Sequence, residues 1–368
     1  MFLRRCKTDL ISQRGAALVV ALLVFALAAA HMVGLKRDFT LQLQRTSNVL
    51  WGEQMWAYLR GAESLAIQAL RYDQQLDAQS ESPRDTLLEL WAGPPTPYAL
   101  DEGSMQGALT DLQGRFNVNA LVKQERLAPQ EPDEPADAIP ADAADGIEQS
   151  AGTSAALGSP AYTIEQKVFI RLLQSLEGVV ISTQQAKEIT EAVSDFLDPD
   201  GDRRPLGAED EAYRSAAMPY RAADRPIASV SELRAISGMT SEIYRALAPH
   251  ISVWPVDGSW SLNILTAPPP LLRTLVADDS LEPLPLDSVV PLLERRESGD
   301  IDSLQALVED PVIVDTEMPQ LLQILDERSA WFLMEAVVNI ADRQRTLYSV
   351  LHREGQQITP VFRTEGEL

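Results

Sequence analysis

Between Ala16 and Leu35 the chain runs without a single charged side chain, and it meets no proline until Pro83. An apolar run of that length crosses the hydrocarbon core of a bilayer when wound as one helix. The basic leader ahead of it, with Arg4, Arg5, Lys7 and Arg14, would stay on the cytoplasmic side, leaving the rest of the chain to face the periplasm or the exterior. Beyond Leu35 the pattern remains helical. Trp51, Met55, Tyr58, Ala62, Leu65, Ala66 and Ala69 recur at three- and four-residue spacing, with Glu53, Arg60, Glu63 and Arg71 on the other face. A helix from Ala16 to about Leu76 spans roughly 90 Å, enough to cross a membrane and still pack on a folded head.

The leader admits three readings. It is a secretory signal cleaved after Ala28-Ala29-Ala30, a bare single-pass anchor, or a pilin-type leader of residues 1–15 cut between Gly15 and Ala16. A discarded signal has no reason to continue as helix into the head, so the unbroken period favours the third. Here the chain resembles type IV pilins and type II secretion pseudopilins. In those families the fifth residue after the cut is usually a glutamate that pairs with a neighbouring subunit's N-terminal amine; this chain carries Val20. A charge buried unpaired in an apolar bundle is costly, so a subunit without the acid suits the end of a filament rather than its shaft. The protein K family of type II secretion minor pseudopilins lacks this glutamate and has similarly large members. The resemblance implies a methylated mature N-terminus.

The net charge of −23 repels nucleic acid and anionic lipid headgroups. The leader carries four cations (Arg4, Arg5, Lys7, Arg14) against Asp9, so its removal takes the charge from −23 to −26. Cys6, the only cysteine, lies in the leader, so the mature chain forms no disulfide and any added staple must be of another kind.

The remainder divides by composition. Residues 16–82 form the membrane and amphipathic helix, and residues 83–126 begin a pilin-like head. Proline and glycine between 83 and 103 mark a connection to a first strand, and Gly114 within Ala108–Leu121 predicts a hairpin. That stretch, with Asp111, Gln113, Gly114, Arg115, Phe116, Asn117 and Asn119, resembles the segment that opens the head of protein K; its polar groups suit turns and strand ends. Residues 127–160, without lysine or arginine and rich in proline and acid, are expected to be a disordered loop. Residues 161–328 read as an inserted helical domain in two parts, about 161–255 and 261–314. A helix begins near Tyr162 and runs through Val168, Ile170, Leu172, Leu173 and Leu176, and a second, capped by Ser182 with Gln185, runs to about Leu197. Helices are also expected near Pro269–Ala277, Leu286–Arg296 and Ile301–Val308. Ser261-Leu-Asn-Ile-Leu-Thr-Ala-Pro268 resembles the entry to the family's second helical part, with Leu265 in place of an asparagine. Residues 329–368 return to alternation and close the head with strands around Trp331–Ile340, Thr346–Arg353 and Ile358–Arg363, joined by turns at Ala341–Gln344 and Glu354-Gly355. The expected class is α+β: a long N-terminal helix on a small antiparallel sheet, with a large helical insert.

From Asp195 to Asp210 there are six carboxylates in sixteen residues, a density that repels itself without a cation. Asp198, Asp200 and Asp202 alternate, and Glu209 stands twelfth from Asp198, where an EF-hand loop has its bidentate ligand. Arg203 replaces the required sixth-position glycine and Pro205 restricts the backbone, so the loop is not an EF-hand. Hard carboxylate oxygens favour calcium, with Asp198, Asp200, Asp202, Glu209 and Asp210 as the expected ligands and Asp195 held back as a helix residue. A solvated turn closed by Asp-Pro is the alternative. The same stretch resembles the calcium-binding insert of protein K.

Ile227–Leu247 reads as two short helices about Ser237-Gly238, with a capping box from Ser229 and Glu232. It resembles helix-hairpin-helix modules, many of which hold DNA phosphate, yet only Arg234 and Arg245 stand near the hairpin in a strongly acidic chain. A structural or protein-contacting use is expected, and a membrane-tethered DNA-binding protein is the less favoured alternative. His31, His250 and His352 share no ligand or catalytic spacing, and no phosphate loop or nucleophile elbow occurs, so no enzyme is expected. By resemblance the function is that of a minor pseudopilin at the tip of a type II secretion pseudopilus, initiating or capping assembly for export of folded proteins. Minor pseudopilins I and J, other pseudopilins, the inner-membrane assembly platform and the prepilin peptidase are the implied partners, and the location is the inner membrane with a periplasmic head. A minor pilin of a type IV pilus is the runner-up.

Overall fold

A computed structural model describes residues 13–80, 82–122, 162–215 and 218–366. The leader up to residue 12 and the acidic loop 127–160 lie outside them. Helix α1 runs unbroken from Gln13 to Asp77, about 97 Å at the usual rise. Among the described residues its apolar window is wholly unburied. Its second half lays Met55, Leu59, Ala62, Ala66 and Leu70 against the sheet. That stripe advances by three or four residues throughout, so Leu65, one position off it, points away and is exposed, against the expected face. Glu63, expected outside, is buried.

The sheet has five antiparallel strands in the order β1 (Tyr98–Leu100), β2 (Gly103–Asp111), β7 (Trp331–Ile340), β8 (Arg343–Glu354) and β9 (Gln357–Thr364). Strand β1 lies inside the segment read as a plain connection. Strand alternation turns Phe332, Met334, Ala336, Val338 and Ile340 of β7 toward α1, joined by Leu347 and Leu351 of β8. The β7–β8 turn is shorter than expected, because Arg343 and Gln344 already pair with Ile340 and Asn339.

Between β2 and β7 the chain builds the insert. The expected hairpin at Gly114 does not form: β2 ends at Asp111, and β3 (Phe116–Asn117) leaves the sheet to pair in parallel with β4 (Ile251–Ser252). Gly114 serves close approach instead, since a Cβ there would lie 2.7 Å from Thr266 Oγ1. Helices α2 (Ile164–Gln174) and α3 (Thr183–Leu197) pack together, capped by Thr163 and Ser182. Ser182 Oγ accepts the Gln185 N–H at 3.2 Å, half of the expected box; Thr163 and Gln166 make a complete one that the sequence reading missed. Short helices α4 (Asp210–Arg214) and α5 (Ser241–Leu247) follow, then β5 (Leu262–Asn263), α6 (Pro269–Leu272), α7 (Leu286–Ser298), α8 (Leu304–Val308), α9 (Pro319–Leu322) and β6 (Leu325–Asp326). Helix α6 stops well short of Ala277, and α8 starts at Leu304 because Ser303 caps it. One buried cluster runs from Phe116 through Leu325, so residues 161–255 and 261–314 share a single core.

Two cores therefore meet, stem with sheet and insert with itself, and a buried polar joint stands between them. Asn263 Nδ2 donates to Asp85 O (3.0 Å), Ser329 Oγ (2.9 Å) and Asp111 Oδ2 (3.2 Å), while its Oδ1 accepts the Leu265 N–H at 2.9 Å. The turn at Leu265 is thus held by Asn263, and Leu265 itself is free to enter the core.

Candidate metal centre and docking stem

Helix α3 ends at Leu197 because Pro199 forces Asp198 into extended backbone. Asp195, still on the helix, is fully buried; Arg204 donates to it from the backbone at 3.2 Å and from the guanidinium at 2.6 Å, and also pairs with Asp198 Oδ2. The loop is pulled inward again where Leu206 N–H reaches Glu191 at 2.7 Å. At Gly207 a Cβ would sit 2.0 Å from Asp195 Oδ2, so only glycine lets the chain pass this carboxylate. Glu209 then caps α4, its Oε2 accepting the Asp210 N–H.

These constraints bring one oxygen from each of Asp198, Asp200 and Glu209 within 4.8 Å of one another. That separation is about twice a calcium–oxygen bond, so the three fit around one ion. Asp198 and Glu209 are buried, yet Asp198 Oδ1 and Glu209 Oε1 accept no hydrogen bond. Burial, with the charges of Asp195, Asp198 and Asp224 added, pushes Glu209 up to about 7; burial also raises Asp198. Orphaned buried acceptors of like charge are what a hard cation relieves, so these residues fit calcium.

Two of the five expected ligands fall outside this triad. Asp210 is committed elsewhere, accepting the Ala222 N–H at 3.0 Å and pairing with Arg214. Asp202 offers its backbone N–H to Asp200 Oδ1 at 2.9 Å and does not join the group. Asp224, which sequence spacing did not suggest, acts on Glu209 through its charge and sits at a positive φ of 49°.

The helix-hairpin-helix segment forms with its capping box complete, Gly238 turning the hairpin at a φ of +81°. Its first arm is a 3-10 helix, Val230–Ala235. Ile236 and Met239 are buried in the insert core, and a Cβ at Gly238 would meet Ile189 of α3. Arg234 lies over the Tyr244 ring and Arg245 donates to Ser241 O, so both cations near the hairpin are engaged within the segment.

Along α1, Gly15, Ala16, Val20 and Leu35 all lie on the unburied part of the rod. Its exposed apolar residues do not stop at the membrane window but continue through Leu41, Leu43, Val49, Leu50 and Leu65.

A family model described as "Type II secretion system (T2SS), protein K" matches residues 114–256. The putative type II secretion system protein K of Escherichia coli K12 is 31% identical over 289 residues, covering 78% of this chain and 76% of its own. The chain belongs to the type II secretion system protein K family. It is therefore a minor pseudopilin of type II secretion, and α1 fits an inner-membrane anchor. Over nearly full length, protein K of Pectobacterium carotovorum is 29% identical, covering 96% of this chain and 97% of its own. In fold, the chain matches a chain of the GspK-GspI-GspJ complex from enterotoxigenic Escherichia coli, with a TM-score of 0.65 and 24% identity, covering 88% of this chain and all of the other.

Proposed function

We propose that this protein K caps the tip of the pseudopilus, initiating assembly with minor pseudopilins I and J for the export of folded proteins. The supporting observation is the stem: a continuous helical rod, uncharged from Ala16 to Leu35, whose fifth residue after the Gly15-Ala16 junction is Val20, and which carries a head enlarged by the insert. A rod of this kind docks sideways among sister stems, while valine leaves no acid to receive the next subunit's amine. The similarity in fold to a chain solved with GspI and GspJ supports that choice of partners. Prepilin peptidase would cut at Gly15, the new N-terminus would be methylated, and the assembly platform would extract the stem from the inner membrane with the head periplasmic. Calcium held by Asp198, Asp200 and Glu209 would fix the loop that joins α3 to α4; the family resemblance and the two orphaned oxygens support it.

Intact mass of the purified chain tests processing: a start at Ala16 is expected, and a start near His31 overturns stem docking. Cysteine cross-linking along α1 to the I and J stems tests the assembly, and no cross-links in a chain with its stem intact would refute it. Calcium dialysis of Asp198→Asn with Glu209→Gln tests the metal: the variant should lose a bound ion and the calcium-dependent rise in Tm that the parent shows.

A further inference from the structure

A second group of acids lies where the stem ends. Asp73 is on the penultimate turn of α1, and Asp85 and Glu89 are on the connection that follows it; each brings one oxygen within 4.8 Å of the others. Asp85 is fully buried. Its Oδ2 accepts from Ser329 N–H at 2.7 Å and from Arg353, whereas Oδ1 accepts nothing. Glu89 accepts from Thr86 N–H at 3.0 Å and from the Trp91 indole at 2.5 Å. Nearby Asp77 has a buried Oδ2 that is likewise without a partner. Against Asp73, Asp77, Asp85 and Glu89 stands one buried guanidinium, Arg353, which pairs with Asp73 at 3.2 Å and with Asp85.

We propose that Asp73, Asp85 and Glu89 form a second cation site, separate from the Asp198 loop, which takes a hard divalent cation of the calcium class and pins the end of the stem to the head. Three carboxylates spaced by about twice a calcium–oxygen bond, in a group that holds no histidine or cysteine, suit oxygen-seeking cations. The four parts that meet here are α1, its connection, β8 through Arg353, and the strand of chain leaving the insert at Ser329. An ion at this point would set the angle between the rod and the bulky insert.

The experiment uses the full chain in detergent with the loop site removed by Asp198→Asn and Glu209→Gln. After dialysis against calcium at neutral pH, ion counting should find about one ion per chain, as one octahedral or larger oxygen cage holds. Terbium supplied instead should emit on tryptophan excitation, because Trp91 touches Glu89. Adding Glu89→Gln should abolish both signals with the far-ultraviolet circular dichroism unchanged, and Trp91→Phe should remove the sensitised emission alone. An absence of bound calcium and of Trp91-dependent emission in the loop-deleted protein overturns the proposal, protons then being what neutralises the acids. If the loop substitutions remove no ion while Glu89→Gln removes one, the loop assignment fails and this site stands.

Discussion

Arg363 on the last strand grips Glu63 in the middle of the stem with both ends of its guanidinium, Nε to Oε2 at 2.6 Å and Nη2 to Oε1 at 3.0 Å, across 300 positions of chain. Ser349 Oγ adds a third donor at 2.8 Å. The acid is almost sealed while the arginine keeps about a third of its surface in water. Removing the arginine leaves the buried carboxylate to Ser349 and to the half-exposed Arg60, whose Nε lies 3.7 Å away. Arg363→Ala should therefore destabilise the head by about 2–3 kcal/mol, less than for a fully buried pair because the arginine is partly screened. Urea unfolding of the full chain in detergent, followed by tryptophan emission, measures it.

The same pair makes stability depend on pH. Burial alone would raise Glu63, but the hydrogen bonds and charge of Arg363, with Ser349, hold it below its ordinary 4.5. The unfolded chain thus binds this proton more readily than the folded one. The stabilisation is fully present above about pH 4.5 and is lost as pH falls through the lowered folded value. Unfolding midpoints should drop below pH 4.5 in the parent, and that part of the slope should vanish in Glu63→Gln.

Gly207→Ala is expected to spoil the loop at Asp195. The added methyl would lie 2.0 Å from a carboxylate oxygen already fixed by Arg204, so the backbone must move. A loss of about 1–3 kcal/mol follows from overpacking of this kind, and calcium affinity should fall with it because Glu209 is two residues on. Calorimetric titration and thermal unfolding on one preparation would check both; unchanged affinity would argue that the loop does not position the ion.

Asn263→Ala removes one amide group that makes three donated contacts and accepts one hydrogen bond at a wholly buried position. Leaving Asp111 and the Asp85 carbonyl short of partners should cost about 2–4 kcal/mol. The insert and the sheet should then unfold in separate steps, since this residue lies in the polar layer between their cores. Differential scanning calorimetry distinguishes one transition from two, and a single undisplaced peak would contradict the role.

Much of the architecture was legible along the chain. A twenty-residue uncharged run, an absence of proline and an apolar period of three to four residues specify a long amphipathic rod, and strict alternation from Trp331 onward specifies the closing strands. Asp-Pro at 198–199 ended α3 where expected, because the residue before proline cannot stay helical. The approach of Asp198, Asp200 and Glu209 to one another was not legible in the spacing: alternation counts carboxylates but does not say which are drawn off by Arg214 or by a backbone N–H.

What local sequence determined was therefore each segment's own geometry, since caps, periods and breakers act over four residues or fewer. Only the tertiary structure decided that Glu63 turns inward, that Gly114 makes room for Thr266 rather than a hairpin, and that Asp73, Asp85 and Glu89 converge beside Arg353. Those outcomes rest on partners far along the chain, and a charge or a glycine carries no local signal of what distant backbone will be packed against it.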